Sequence, residues 1–276
     1  MVVTGDDLRE ALRGLGLAGR AVCLHGSLRS FGHVVGGAAA VVGAFTDEGC
    51  TLLVPTFSSA FEVAPPPHLQ FERNGWDYDA ARAPRRGAER VYAPDVPDID
   101  GYVGAIPAAV LSRPGRVRGQ HPLNSFTALG PRASELAAGQ APSDVYAPLR
   151  ALVRAEGFVL LAGVGLERAT LLHLAEREAG RTLFRRWAND AQGRPAAVEV
   201  GGCSEGFGRL EPHLRHLMRL TVVGSSRWTL LPAARALDCA AAAIRADPLI
   251  THCGARPCGR CDDAVRGGPI LPAGRV

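Results

Sequence analysis

The stretch Leu24-His25-Gly26-Ser27-Leu28-Arg29-Ser30-Phe31-Gly32-His33-Val34-Val35-Gly36-Gly37-Ala38 constrains the fold more than any other. The apolar run Ala21-Val22-Cys23-Leu24 precedes it and residues 38–45 follow as a buried helix, so small, polar and flexible residues fill a strand-to-helix connection. Gly32, Gly36 and Gly37 permit close backbone approach, and the start of the helix beyond them favours an anion. The junction therefore reads as a binding site. The familiar nucleotide motifs do not fit it. A P-loop needs a lysine and this chain has none, while Gly32-x-x-x-Gly36-Gly37 departs from the G-x-G-x-x-G fingerprint.

Strand 21–24, helix 38–45 and strand 51–54 make a β-α-β opening, behind a first helix capped by Asp6 or Asp7 and ending at Leu15. Periodicity then predicts helix 107–111, strand 125–129, helices 133–138 and 146–154, and a buried strand 158–161 that turns into a further helix. The last third offers an amphipathic helix over 207–220 and an alanine-rich one over 232–245, with Pro232 suited to a first turn. The expectation is an α/β fold with a mixed sheet flanked by helices, in a single domain over residues 1–276. Between 62 and 101, Pro, Arg, Asp and aromatic residues replace the periodic pattern, which predicts a long inserted loop or lid on the substrate side.

The formal charge of +4 suits an anionic ligand but is too small and dispersed for a nucleic-acid protein, and no dense basic stripe or set of stacking aromatics accompanies it. No apolar run is long enough for a bilayer, and the first residues lack a basic segment followed by an apolar one, so a cytoplasmic location is expected. The seven cysteines are then thiols or metal ligands. Within residues 252–261, Cys253, Cys258 and Cys261 could wrap Zn²⁺ with Cys239, Cys203 or a histidine as fourth ligand; the other reading is free thiols beside a tight turn.

Among the histidines, His173 is the best placed for proton transfer, early in a helix that follows a buried strand and Gly163-Val164-Gly165. At about 100° per residue, His173 and Glu176 lie about 60° apart, opposite Leu171, Leu174, Ala175 and Ala179. A carboxylate there fixes an imidazole tautomer and stabilises the imidazolium. The same spacing also describes a solvated His–Glu pair, and Glu178, which points toward the apolar side, is the alternative carboxylate.

Five segments carry a resemblance. They are His25-Gly26-Ser27-Leu28-Arg29-Ser30-Phe31-Gly32 with Gly36-Gly37-Ala38; Thr51-Leu52-Leu53-Val54-Pro55-Thr56-Phe57-Ser58; Gly104-Ala105-Ile106-Pro107; His121-Pro122-Leu123-Asn124-Ser125-Phe126; and Leu161-Ala162-Gly163-Val164-Gly165 with Thr170-Leu171-Leu172-His173-Leu174-Ala175-Glu176. In this order they resemble the aminoglycoside 3-N-acetyltransferase family over roughly residues 20 to 180. The resemblance implies acetyl-CoA as cofactor, an amine of an aminoglycoside antibiotic as acceptor, His173 as general base oriented by Glu176, and direct transfer in a ternary complex. It implies that Ser27, Leu28, Arg29, Ser30, Phe31, Gly32, Val35, Gly36 and Gly37 lie at the cofactor, with His121 and Ser125 beside it and Arg29 or Arg118 as a phosphate partner. Asp77, Asp79 and Tyr102 fall to the acceptor.

The chain departs from the family pattern at Gly26, where a serine is usual, and at Ala93 and Ala108, where acids are usual. Carboxylates for a polycationic acceptor would then come from Asp77, Asp79, Asp95, Asp98 or Asp100. Two other readings stay open: an acyltransferase acting on another amino-sugar or natural-product amine, and a non-catalytic ligand-binding protein that keeps the fold. The oligomeric state is not legible.

Overall fold

The computed structural model describes residues 2–79 and 89–271. Strand β1 (Val2–Val3) leads into helix α1 (Gly5–Gly14). Thr4 sets the start of α1: its hydroxyl accepts the Asp7 N–H at 3.3 Å and the Asp7 carboxylate accepts the Thr4 N–H at 2.8 Å. This capping box replaces the expected Asp6 or Asp7 cap. Then come β2 (Ala21–Gly26), β3 (His33–Val34), α2 (Gly37–Asp47), β4 (Thr51–Pro55), α3 (Ala105–Leu111), β5 (Val117–Arg118), β6 (Phe126–Leu129), α4 (Ala133–Ala137), α5 (Ala147–Arg154), β7 (Phe158–Ala162) and α6 (Leu171–Glu178). The remainder is β8 (Phe184–Asn189), β9 (Pro195–Val200), α7 (Glu211–Leu214), β10 (Arg219–Val223), β11 (Ser226–Pro232), α8 (Ala233–Ala246) and α9 (Gly259–Val265).

Seven strands form one mixed sheet in the order β10-β11-β7-β2-β4-β6-β5. The central strands β7, β2 and β4 are parallel, and the outer pairings are antiparallel. β2 reads as an unbroken apolar run because both of its faces are covered. Val22 and Leu24 pack with Leu8, Phe45 and Val110 of α1, α2 and α3, whereas Ala21 and Cys23 pack with Leu149, Leu174 and Ala236 of α5, α6 and α8. With β4 on one side of β2 and β7 on the other, the loops leaving β2 and β7 part at their carboxyl ends. In parallel sheets that is where a ligand crevice opens.

Two expectations need correction. The helix expected over 207–220 is two 3-10 turns, Phe207–Leu210 and Arg215–Leu217, around the short α7, and the chain then enters β10. Pro212 cannot donate to a continuing helix, and the β-branched run Thr221-Val222-Val223 pairs instead with β11 across Gly224-Ser225. The loop over 62–101, of which residues 80–88 lie outside the described part, is irregular but lies on the β8–β9 hairpin. Val63 N–H donates to the Trp187 carbonyl at 2.9 Å, and the Asn74 amide bonds both the N–H and the C=O of Arg185 at 2.7 and 2.9 Å. Trp76 and Tyr78 meet the Trp187 ring edge-on at 5.7 and 5.9 Å. The described part of this segment is therefore packed on the hairpin. No helix among the described residues is long and apolar enough to cross a membrane.

Candidate active site

A cleft of about 1480 Å³ opens at the carboxyl ends of β2, β4 and β7. Ordinary small-molecule pockets occupy roughly 300–1,000 Å³, so this one has room for two reactants. Its walls come from the loop after β2 (Ser27, Leu28, Arg29, Ser30), the loop after β7 (Gly163 to Thr170) and the turn after β9 (Gly201, Gly202, Ser204, Phe207).

His173 lies in this cleft. Its Nδ1 is 2.8 Å from Glu176 Oε2, one helical turn on, and the two side chains are only 11% and 6% exposed. That burial excludes the solvated pair. Glu176 also accepts, at 2.5 Å on Oε1, from the Arg181 guanidinium. Held between two donors the carboxylate only accepts, so the neutral imidazole carries its proton on Nδ1 and its lone pair on Nε2. The Tyr146 ring stacks on one face of His173 (centroids 6.1 Å apart, 4° between planes), and Phe207 meets it edge-on at 4.7 Å. Burial and the charges of Glu176 and Glu199 hold the Tyr146 phenol protonated well above its ordinary range. Gly201 closes the other side, where a Cβ would stand 2.5 Å from Tyr146 Oη and 2.8 Å from His173 Cδ2. Glu178 is exposed and is not the orienting carboxylate.

The other expected residues divide. Ser27, Leu28, Arg29, Ser30 and Tyr102 line the cleft. Phe31 does not: it is fully buried against Trp228 at 5.8 Å. Gly32, Val35, Gly36 and Gly37 also stay off the wall, because β3 pairs with β1 and Gly36 caps α2 in a left-handed conformation. His121 and Ser125 are interior braces. The His121 Nε2–H donates to the Glu199 carbonyl at 2.7 Å, and its Nδ1 accepts the N–H groups of Leu123 and Asn124 at 3.2 and 2.8 Å. The Ser125 hydroxyl donates to Thr56 O at 2.9 Å and accepts from Arg118. Arg118 is buried, commits three further N–H donors to the carbonyls of Val96, Thr56 and Asp98, and does not line the cleft, which sets it apart from a phosphate partner there.

Neither Asp77 nor Asp79 lines the cleft; the Asp79 N–H donates to Asp77 Oδ1 in an exposed turn. Asp98 is paired with Arg90, and Asp100 holds the Ser59 N–H and hydroxyl, each at 2.9 Å. Cys23 is buried, and burial pushes its thiol up to about 12, which removes it as a nucleophile. Cys253, Cys258 and Cys261 come together, with Cys203 as their neighbour. Cys239 lies in α8 outside the group. His252 is also outside it, since its Nδ1 accepts the Gly254 N–H and its Nε2 bonds Asp262.

Sequence reasoning missed Tyr146, Phe207 and Arg181 around His173. It also missed Arg168, Arg227 and Arg260, which with Arg29 line the cleft and make no ion pair among the described residues. These residues come from six separate segments, and arginine is too common here for any one to stand out.

Two buried imidazoles give a pH prediction. Burial lowers His121 to about 4, and burial with the Arg168 charge lowers His25 to about 4, from an ordinary 6.5. A proton on His121 Nδ1 would face two backbone N–H groups. The unfolded chain therefore protonates first. The stabilisation is fully present above pH 6.5 and is lost as pH falls toward 4, by on the order of 3 kcal/mol per histidine. Melting temperature should fall across that window, and a flat profile would contradict the assignment.

An open cleft at parallel strand ends, with a buried His–carboxylate pair and a cationic rim, defines an α/β protein built around a small-molecule site. The family model described as aminoglycoside 3-N-acetyltransferase matches residues 23–245, and the chain belongs to that family. It is 36% identical over 181 residues to aminoglycoside N(3)-acetyltransferase IX of Micromonospora chalcea, covering 63% of this chain and 62% of that one. Identity to aminoglycoside N(3)-acetyltransferase VII of Streptomyces paromomycinus is 38% over 181 residues, covering 63% and 60%. The match thus spans less than two thirds of either relative's length. Among solved structures, the YokD protein from Bacillus subtilis superimposes with a TM-score of 0.71 at 26% identity, over 88% of this chain and 100% of that one. The fold is shared also with aminoglycoside acetyltransferase AAC(3)-IVa, at a TM-score of 0.78 and 23% identity over 97% and 98% of the two chains.

Proposed function

We propose that the chain is an acetyl-CoA-dependent N-acetyltransferase that acetylates an amine of an aminoglycoside antibiotic by direct transfer. The observation that carries this reading is the His173–Glu176 pair at 2.8 Å, set in a cleft large enough for two reactants. Acetyl-CoA supplies the activated acetyl group as a thioester. His173 Nε2 takes the proton of the acceptor amine as its nitrogen bonds to the thioester carbonyl carbon; the C–S bond then breaks and the proton leaves with the thiol. The imidazolium formed on the way is stabilised by the Glu176 carboxylate, which Arg181 holds in place. Arg29, Arg168, Arg227 and Arg260 offer the cleft cations that make no ion pair among the described residues and suit the phosphates of CoA. Ser27, Leu28 and Ser30 flank its arm, and Tyr102 flanks the acceptor.

A second reading has its own support. Glu167 is the only carboxylate among the described lining residues, and it caps its own loop by accepting the Gly165 N–H at 3.1 Å. A cleft this poor in acids suits a less cationic amine, such as another amino-sugar or natural-product amine. Zn²⁺ at the C-terminal cysteines belongs to the proposal as a structural ion outside the transfer step.

The test is free-thiol release from acetyl-CoA with a panel of 2-deoxystreptamine antibiotics and simpler amines, with products identified by mass. Amine-dependent release giving an N-acetylated aminoglycoside is expected. Release only with less charged amines selects the second reading, and absence of both release and CoA binding overturns both.

A further inference from the structure

Cys203 sits in the turn after β9, and Cys253, Cys258 and Cys261 in the segment that ends in α9. Their four sulfurs lie within 4.8 Å of one another, and none is in a disulfide. In a tetrahedral zinc tetrathiolate with Zn–S of about 2.3 Å the sulfurs stand roughly 3.8 Å apart, so closure needs shifts on the order of an ångström. Backbone amides already point at the sulfurs. The Cys253 N–H donates to Cys261 Sγ at 3.4 Å, and Glu205 and Ala255 bond Cys203 and Cys253 in the same way. Metal ligands are ordinarily oriented by such bonds.

We infer that Cys203, Cys253, Cys258 and Cys261 bind a structural Zn²⁺ that locks the C-terminal segment against the cleft wall and so positions Phe207, Arg260 and the Glu176 carboxylate around His173. Four thiolates fill the coordination shell and leave no place for water, which makes the ion structural. The segment has need of it: Cys261 is the single buried residue of α9, so this seven-residue helix brings little apolar area to hold itself down.

Three links run from the cluster to the cleft. Arg260 lies between two of the ligands, Cys258 and Cys261, and lines the cleft. Phe207, which touches His173 edge-on, follows Cys203 by four residues; between them Gly206 backs on Thr251, whose carbonyl would stand 2.2 Å from a Cβ there. Two residues before Cys253, Thr251 Oγ1 accepts from Arg181 at 2.8 Å, and the Pro248 carbonyl accepts from the same guanidinium at 2.5 Å. Arg181 in turn holds Glu176. The metal site stands on the cysteines alone, while its bearing on catalysis rests on the transfer reading.

The test uses the full chain purified without added metal or chelator. Bound zinc close to one ion per chain is expected. Cys203→Ser should lose most of it, whereas Cys203→His, which keeps a ligand, and Cys239→Ser, which lies outside the cluster, should retain it. Cobalt exchanged into the site should show the intense visible bands and sulfur-to-metal charge transfer of a tetrahedral tetrathiolate. On removal of zinc by a strong chelator, amide hydrogen exchange should rise about tenfold or more in 203–210 and 248–262 while β2, β4 and β7 keep their protection. Protein that carries no metal, or iron, overturns the site, and unchanged exchange after zinc loss overturns the positioning role. Zinc-loaded protein that acetylates no amine would refute the proposed function and leave the metal site standing.

Discussion

His173→Ala is expected to lower kcat for amine acetylation by about 10²–10⁴-fold, the usual contribution of a positioned general base, with KM for acetyl-CoA little changed. In the proposed reading the cofactor arm meets the loop after β2 and the arginine rim, which line the cleft, so its binding should not depend on the imidazole. The variant should still fold. Glu176 keeps its Arg181 partner, and the ring lost is one that lines an open cleft. Steady-state rates with both substrates varied, alongside a thermal melt, check this directly. A variant that loses less than about tenfold in kcat would remove His173 from the proton-transfer role.

Glu176→Gln should come close to that loss by a different route. The Arg181 guanidinium has no acceptor capacity, so the glutamine oxygen must face it and the amide NH₂ must face His173 Nδ1. Nδ1 then has to accept, the imidazole proton moves to Nε2, and the lone pair that takes the amine proton is gone from the cleft. In serine proteases the same acid-to-amide change costs about 10⁴-fold in kcat through the wrong tautomer, and a loss of about 10²–10⁴-fold is expected here. Glu176→Leu should add a stability defect. It strands a guanidinium that is only 7% exposed, and breaking such buried pairs costs about 3–5 kcal/mol, or on the order of 10 °C in Tm for a chain of this size. The imidazole ¹⁵N shifts of Glu176→Gln separate the two effects. A proton remaining on Nδ1 would contradict the tautomer argument.

The first two thirds of the chain, through α6, was legible because its central strands are buried on both faces and announce themselves as short apolar runs, with glycine at the element junctions. The bounds of α1 to α5 and of the main strands there fall within about two residues of the periodic pattern, and α6 follows β7 as expected. Later the pattern misled. Leu210, Leu214 and Leu217 keep helical spacing, yet Pro212 breaks the helix, and the exposed Leu220 and Val222 belong to an edge strand where apolar residues point outward. The cue was Gly224-Ser225 between the β-branched run Thr221-Val222-Val223 and the apolar run Trp228-Thr229-Leu230-Leu231. His173 and Glu176 could be paired from spacing because one helix carries both. What surrounds them could not: Tyr146, Arg181 and Phe207 reach the site through tertiary packing, and the choice of Cys203 over Cys239 or a histidine beside Cys253, 50 residues on, likewise came only from the fold. His121 misled for the opposite reason. A histidine-proline segment beside Asn124 and Ser125 looks like a ligand loop, but both ring nitrogens are already bonded to backbone.

The central claim is that one cleft holds both reactants and passes the acetyl group straight from thioester to amine with His173 as base. Initial rates measured on a grid of acetyl-CoA and acceptor concentrations test it most directly. Intersecting reciprocal plots, with no acetylated protein detected by mass after incubation with acetyl-CoA alone, are expected. Parallel plots with an acetyl group found on the protein would contradict direct transfer and move the chemistry to a nucleophile on the chain.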